Sequence, residues 1–104
     1  MLGACLVVNV RGRMSPTIQH ERSAHRFVAQ VDGAQCVLNY SLAAGVMTIT
    51  HTGVPPEVRG RGIASALVQA ALDAARVEGW RVASACSYAS VWMARHPSCH
   101  DLLA

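Results

Sequence analysis

The sequence predicts an α+β fold, in which an antiparallel strand meander is followed by a β-α-β crossover and a C-terminal helix. Three observations lead to this prediction. Apolar and polar residues alternate over several short segments that are separated by tight-turn residues, as in consecutive hairpins. An alanine-rich run with helical periodicity follows these segments. A further short apolar segment and a run that ends before a proline close the chain.

The composition is that of a single globular domain with a modest core. The chain has 104 residues, of which 52% are hydrophobic and 14% are charged, whereas a disordered chain is less apolar and more charged. The net charge of +3 forms no basic stripe, so nucleic acid is not an expected partner. No apolar run approaches the ~20 residues of a membrane helix, so a membrane is not expected either.

The cysteines favour a reducing cytoplasm as the location of this chain. Cys5, Cys36, Cys86 and Cys99 form no C-x-x-C pair, and the N-terminal residues do not have the pattern of a secretory leader. Free thiols are therefore expected. The spacing of cysteine and histidine near the C-terminus matches no ordinary zinc module, so no metal site is predicted.

Residues 1–13 are interpreted as an N-terminal extension to a domain that spans residues 14–104. A start codon misassigned upstream of Met14 would account for the extension. A real additional strand from Cys5 to Val10 is the competing interpretation.

Three strands are predicted in the meander: Arg26–Val31, Gln35–Leu42 and Val46–Thr52. The pair Asp32-Gly33 between the first two favours a type I′ hairpin turn, and Ala43-Ala44-Gly45 provides the second turn. Strict alternation places Cys36, Leu38, Tyr40 and Leu42 on one face of the second strand. The same rule predicts that Met47, Ile49 and His51 share a face of the third.

The crossover helix is predicted from about Gly62 to Glu78, with Gly79 as its stop signal. The residues expected on its buried face are Ile63, Leu67, Ala70, Ala71, Ala74 and Val77. A fourth strand is expected over Arg81–Cys86, parallel to the third. A second helix, Tyr88–Arg95, should end before Pro97, and residues 98–104 should add a last helical turn.

The loop before the crossover helix has the features of an anion site. The first N–H groups of the helix, from Gly62 to Ser65, have no intrahelical acceptor, and Arg59 and Arg61 precede them. Gly60 and Gly62 leave the backbone open to a ligand. This pattern predicts binding of a phosphate or pyrophosphate. A glycine-rich turn with two solvated arginines is the simpler alternative.

Six short motifs occur in order along the chain, namely Arg26-Phe27, Asp32-Gly33, His51-Thr52-Gly53-Val54-Pro55, Arg59-x-x-Gly62-x-Ala64, Cys86-Ser87-Tyr88 and Arg95-His96-Pro97. Together they resemble the motifs of the Gcn5-related N-acetyltransferase superfamily, and particularly of its small, minimal members. The resemblance covers roughly residues 20–104. Two positions depart from the usual pattern, since Ser84 stands where a proline is common and Trp92 where a tyrosine is common.

The resemblance implies an acyl-CoA N-acyltransferase fold that binds acetyl-CoA between the third and fourth strands. It implies His51 as general base, Cys86 as pocket residue or acyl-accepting nucleophile, and Tyr88 as the proton donor to the leaving thiolate. For each of these three side chains, ordinary packing is the alternative role. The positions implied to bind the cofactor are Thr52, Val54, Arg59, Gly60, Arg61, Gly62, Ile63, Ala64 and Ser65.

Three classes of function follow. The first is an acetyl-CoA-dependent acetyltransferase that moves the acetyl group to an unidentified amine, either directly or through an acyl-Cys86. The second is a CoA-binding module without turnover, and the third is a small interaction domain. The sequence identifies neither the acceptor nor the oligomeric state.

Overall fold

The computed structural model describes residues 17–104, together with the backbone of residues 5–6, 9–10 and 13–14. Among the described residues, the short 3₁₀ helices Arg22–Ala24 and Pro56–Val58 connect main elements, and a third, Pro97–Leu102, follows the last of them. The main elements in chain order are β1 (Cys5–Leu6), β2 (Asn9–Val10), β3 (Arg13–Met14), β4 (Ile18–Glu21), β5 (Arg26–Val31), β6 (Ala34–Ala43), β7 (Val46–Gly53), α1 (Ile63–Glu78), β8 (Arg81–Ser84) and α2 (Ser87–Ala94).

The described strands form a mixed sheet that agrees with the predicted topology. Its order is β1-β4-β5-β6-β7-β8, and β2 pairs with β3 in a separate two-stranded sheet. All neighbours in the larger sheet are antiparallel except β7 and β8, which are parallel and joined by α1. The predicted meander and β-α-β crossover are therefore confirmed.

Both predicted hairpin turns are present. Asp32 and Gly33 join β5 to β6 with φ of 49° and 78°, and Ala44 and Gly45 join β6 to β7 with φ of 52° and 77°. Two successive residues with positive φ are the signature of the type I′ turn, whose twist suits a hairpin. These turns fix the register of the meander.

The meander has one strand more than predicted. Strand β4 pairs with β5 along its whole length, although the sequence predicts no strand over residues 18–21. Ile18 is the one buried residue of β4, so hydrophobic alternation is too weak to indicate a strand. His20 takes the next inward position, where its ring stacks on Phe27 at a centroid distance of 4.0 Å.

Helix α1 covers one face of the sheet and ends at Gly79, which has φ of 78°, as predicted. Val77 was expected in the core but is 84% exposed. The buried face of α1 is rotated relative to the predicted face. Val68 and Leu72 are buried in it, in place of the predicted Ala70 and Val77. No helix in residues 17–104 is long and apolar enough to cross a membrane.

The end of β8 differs from the prediction. The strand stops at Ser84 instead of Cys86, because the Ser84 hydroxyl takes over the hydrogen bonding of the chain that follows. Ser84 Oγ accepts from Cys86 N at 3.2 Å and donates to Cys86 O at 2.9 Å. Ser90 Oγ donates to Ser84 Oγ at 2.9 Å. A serine, unlike a proline, can therefore hold the junction between β8 and α2 by hydrogen bonds.

A chain that begins at Met14 is expected to fold and to keep its ligand affinity. Strand β1 contributes only the pairs Cys5–Gln19 and Leu6–Ile18 at the edge of the sheet, far along the sheet from β7 and β8. Thermal unfolding and ligand titration of this truncated chain and the full chain test the expectation. A melting temperature lower by more than ~4–8 °C, roughly 1 kcal/mol for a domain of this size, would make residues 1–13 part of the folding unit.

Candidate functional site

The loop between β7 and α1 is fixed by a buried side chain and by hydrogen bonds between its own residues. Val58 is almost fully buried and anchors the 3₁₀ turn to the core. Val58 N donates to Pro55 O at 3.1 Å, and Arg59 Nε donates to Val54 O at 3.1 Å across the loop. The loop that approaches the helix is thus preorganised by packing and by two hydrogen bonds.

The start of α1 exposes its backbone as the glycine pattern predicts. Gly60 and Gly62 have φ of 82° and 76°, and an added Cβ at either would meet no atom within 4 Å. Gly62 is the N-cap residue, and no side chain caps the helix. The first N–H groups of α1 therefore have neither an intrahelical acceptor nor a side-chain cap, and they lie at the positive end of the helix dipole.

A cavity of about 400 Å³ lies over this helix start. It runs from the loop towards the start of α2, where Tyr88 is 41% exposed. Eight of the twelve predicted site residues line this cavity, namely Thr52, Val54, Arg59, Gly60, Gly62, Ile63, Ala64 and Tyr88.

The two loop arginines have different surroundings. Arg59 lines the cavity. Arg61 forms an ion pair with Asp32 in the β5–β6 turn, and both side chains are largely exposed. An exposed ion pair of this kind contributes little to stability, and Arg61 is not among the residues that line the cavity.

Strands β7 and β8 separate where the cavity begins. Their pairing ends at Ile49 and Ser84, with Ala85 N donating to Ile49 O at 2.8 Å as the last bond. Thr52 and Cys86 lie just beyond this point, and the Cys86 thiol contacts Thr52 Oγ1 at 3.7 Å. The half-buried Cys86 thiol thus contacts Thr52 of the cavity lining, although Cys86 is not itself a lining residue.

Cys86 is the N-cap residue of α2, although no side-chain hydrogen bond closes that cap. Burial alone would raise the pKa of the Cys86 thiol, but the facing N–H groups of Ala89 and Tyr88 and the Thr52 hydroxyl outweigh it, so the pKa is lowered. A thiol at a helix N-terminus is more readily ionised for this reason. In contrast, burial raises the pKa of Cys36 and of Cys99.

His51 does not share a face with Met47 and Ile49, and this expectation is wrong. A β-bulge interrupts the pairing of β6 and β7, since Asn39 pairs with His51 whereas Tyr40 pairs with Ile49. The extra residue reverses the alternation of the strand after Ile49. His51 consequently lies exposed on the outer face of the sheet.

The position of Gly53 supports this placement of His51. A Cβ added to Gly53 would lie 2.9 Å from His51 Nε2, on the side of Val37. Thr52 pairs with buried Leu38, so its side chain and that of Cys86 are on the inner face. The structure therefore does not bring His51 and Cys86 together.

Ser65 is in the first turn of α1, and its hydroxyl accepts a hydrogen bond from Trp92 Nε1 at 2.7 Å. Ser65 was predicted to bind the cofactor, and Trp92 was noted only as a departure from the usual tyrosine. Trp92 is buried and contacts α1. The only sequence signal for a special role of Trp92 is that it replaces the usual tyrosine.

Among the residues that the structure describes, no three His, Cys, Asp or Glu side chains are grouped to hold a metal ion.

The comparisons with known proteins agree with this geometry. The family model described as GCN5-related N-acetyl-transferase matches residues 26–102. Protein NATD1 of Bos taurus is 32% identical over 83 residues, which cover 77% of this chain and 74% of that protein. Protein NATD1 of Homo sapiens is 31% identical with the same coverage.

The fold also has a solved counterpart. A GCN5-like protein from Staphylococcus aureus, determined by NMR in solution, superimposes with a TM-score of 0.68 over 84% of this chain and 86% of that one, at 24% identity. The chain therefore belongs to the GCN5-related N-acetyltransferase family, as its motifs predicted. Its general class is that of the acyltransferases.

Proposed function

We propose that this protein is an acetyl-CoA-dependent N-acetyltransferase whose acceptor is an amine. The observation that carries the proposal is the cavity at the start of α1, where uncapped backbone N–H groups, two glycines with positive φ and Arg59 meet. These groups suit a pyrophosphate, because oriented N–H groups and a guanidinium bind phosphate oxygens strongly.

The dimensions of the cavity support the same ligand. Its volume of about 400 Å³ is within the range of small-molecule sites. The empty space around Gly60 and Gly62 would accommodate phosphate groups against the backbone. The rest of the ligand would extend past Thr52 into the gap between β7 and β8. Acetyl-CoA would supply the activated acetyl group as its thioester.

Tyr88 is proposed as the proton donor to the leaving thiolate. It lines the far end of the cavity and is partly exposed, so its hydroxyl can exchange protons with solvent. In direct transfer, the amine nitrogen attacks the thioester carbonyl and the carbon–sulfur bond breaks. The departing thiolate takes a proton from Tyr88, and the proton that the acetylated nitrogen loses passes through solvent to the Tyr88 phenolate, so that the amide, CoA and neutral Tyr88 result.

A covalent route adds Cys86 as the first acceptor of the acetyl group. The Cys86 thiolate attacks the carbonyl, a new carbon–sulfur bond forms, and CoA leaves. The amine then attacks the acyl-Cys86 and restores the thiol. The lowered pKa of Cys86 favours this route. The His51 imidazole is not assigned a part in either route, because it is on the opposite face of the sheet from Thr52 and Cys86.

The experiment that tests the function has two stages. Calorimetric titration with acetyl-CoA should give saturable binding. A thiol-detecting assay with a panel of primary amines should then show CoA release above spontaneous hydrolysis. Binding without release would leave a CoA-binding module, and no binding would leave an interaction domain.

The Arg59→Ala change is expected to weaken acetyl-CoA binding by roughly tenfold or more. A charge-assisted phosphate contact contributes ~1.5–3 kcal/mol, which corresponds to that change in the dissociation constant. Arg61→Ala is the matched control, and we expect a smaller loss because Arg61 is paired with Asp32. Equal losses in the two variants, or unchanged affinity in Arg59→Ala, would contradict this assignment of Arg59.

A further inference from the structure

One hydrogen bond connects the two helices that border the cavity. Trp92 in α2 donates its indole N–H to the hydroxyl of Ser65, in the first turn of α1. Ser65 is close in sequence to Gly62, at the proposed phosphate site. The helix that carries Trp92 also contains Tyr88 and has Cys86 as its N-cap residue. The bond therefore joins the phosphate half of the cleft to its reactive half.

The Trp92 side chain is held firmly in this position. It is 8% exposed, and its ring stacks on that of His96 at a centroid distance of 3.7 Å and an interplanar angle of 11°. His96 Nδ1 also lies 2.6 Å from Trp92 O, which fixes the stacked ring. Tyr88 is four residues before Trp92, so both side chains are on one face of α2. A shift of Trp92 would move Tyr88 with it.

We propose that Trp92 is a positioning residue, whose hydrogen bond to Ser65 sets the distance between the phosphate-binding start of α1 and the residues Tyr88 and Cys86. This inference rests on the proposed function. A buried N–H donor needs an acceptor, and losing it costs the full desolvation of the donor. The Ser65 hydroxyl provides that acceptor and thereby selects one packing of α2 against α1. The ligand then meets a cleft of fixed width.

The test compares variants that remove the bond from either side. Trp92→Phe keeps an aromatic ring but removes the N–H, and Ser65→Ala removes the acceptor. Each should weaken acetyl-CoA binding by about three- to tenfold, the loss expected for one hydrogen bond. Ser65→Thr keeps a hydroxyl and should retain affinity. The double variant should be no weaker than the weaker single one, because both changes remove the same bond.

Trp80→Phe is the matched control for loss of aromatic packing. The centroid of the Trp80 ring lies 6.3 Å from that of Tyr40. Trp80 comes after the C-terminal end of α1, away from the cavity. This variant should lower the melting temperature without changing the affinity. The proposal is overturned if Trp92→Phe and Ser65→Ala both bind within twofold of the wild type. It is also overturned if Trp80→Phe weakens binding as much as they do.

A second readout needs no acetyl-CoA. The rate of Cys86 alkylation by iodoacetamide is followed against pH in a Cys5→Ser background. Trp92→Phe should move the profile to higher pH, because the N–H groups of α2 no longer face the thiol as closely, and Trp80→Phe should not. If the wild type does not bind acetyl-CoA, the proposed function is refuted, but the alkylation profile still tests whether Trp92 positions Cys86. An unmoved profile in Trp92→Phe and Ser65→Ala would overturn the positioning role of Trp92.

Discussion

Replacing Gly62 with valine is expected to weaken acetyl-CoA binding by about a hundredfold or more while the chain stays folded. The added side chain meets no protein atom within 4 Å of its Cβ, so the space it fills is the approach to the first N–H groups of α1. Blocking two charge-assisted contacts of ~1.5–3 kcal/mol each gives a loss of this size. Valine at φ of 76° also costs stability, roughly 1–2 kcal/mol for a left-handed conformation.

Gly79→Val separates the loss of binding from the backbone cost. Gly79 has φ of 78°, ends the same helix and likewise has open space around its added Cβ. Thermal melts should show similar destabilisation in the two variants, and calorimetry should show lost affinity only in Gly62→Val. Near-normal affinity in Gly62→Val would remove the start of α1 from the binding site.

Cys86 is expected to take up one acetyl group when the protein is incubated with acetyl-CoA. Its lowered pKa keeps part of the thiol ionised at a pH where an ordinary cysteine is protonated. Only the thiolate attacks, so the rate should rise with pH and level off above the pKa, at a lower pH than for an unperturbed thiol. Cys36 and Cys99 are buried with raised pKa values and should stay unmodified. Intact-mass measurement over a pH series tests both expectations.

Three variants make the Cys86 experiment decisive. Cys86→Ser should abolish the mass gain, and a gain that survives it would place the acetyl group elsewhere. His51→Ala should leave the rate unchanged, since the imidazole is on the outer face beside Asn39; a slower rate would restore His51 as a base. Full turnover by Cys86→Ala would leave direct transfer as the operating route.

Most of the fold could be predicted because its determinants are local. The Asp32-Gly33 pair fixes one hairpin, and Gly79 ends the crossover helix. Strand β4 could not be predicted, because its own sequence shows no clear alternation of apolar and polar residues. Its strand conformation is stabilised by pairing with β5. Val77 was misplaced because an alanine-rich helix has several faces of similar hydrophobicity, and tertiary contacts with the sheet select one of them.

The site was predictable where it depends on backbone chemistry. Glycines before an uncapped helix indicate an anion site regardless of the rest of the fold, and the structure forms a cavity there. Face assignments failed because the bulge beside Asn39 carries no glycine or proline signal, and one extra residue reverses the alternation that placed His51. The Trp92–Ser65 bond joins residues 27 positions apart, which no local pattern reveals.

The parallel pairing of β7 with β8 also has a consequence for the order of folding. The β5–β6 and β6–β7 hairpins close over two-residue turns, whereas α1 and its flanking loops lie between β7 and β8 in the chain. Closing the longer loop costs more chain entropy before any contact offsets it. The meander is therefore expected to form before the parallel pairing of β7 with β8. The cavity, which is lined by residues of β7, α1 and α2, is accordingly expected to form last.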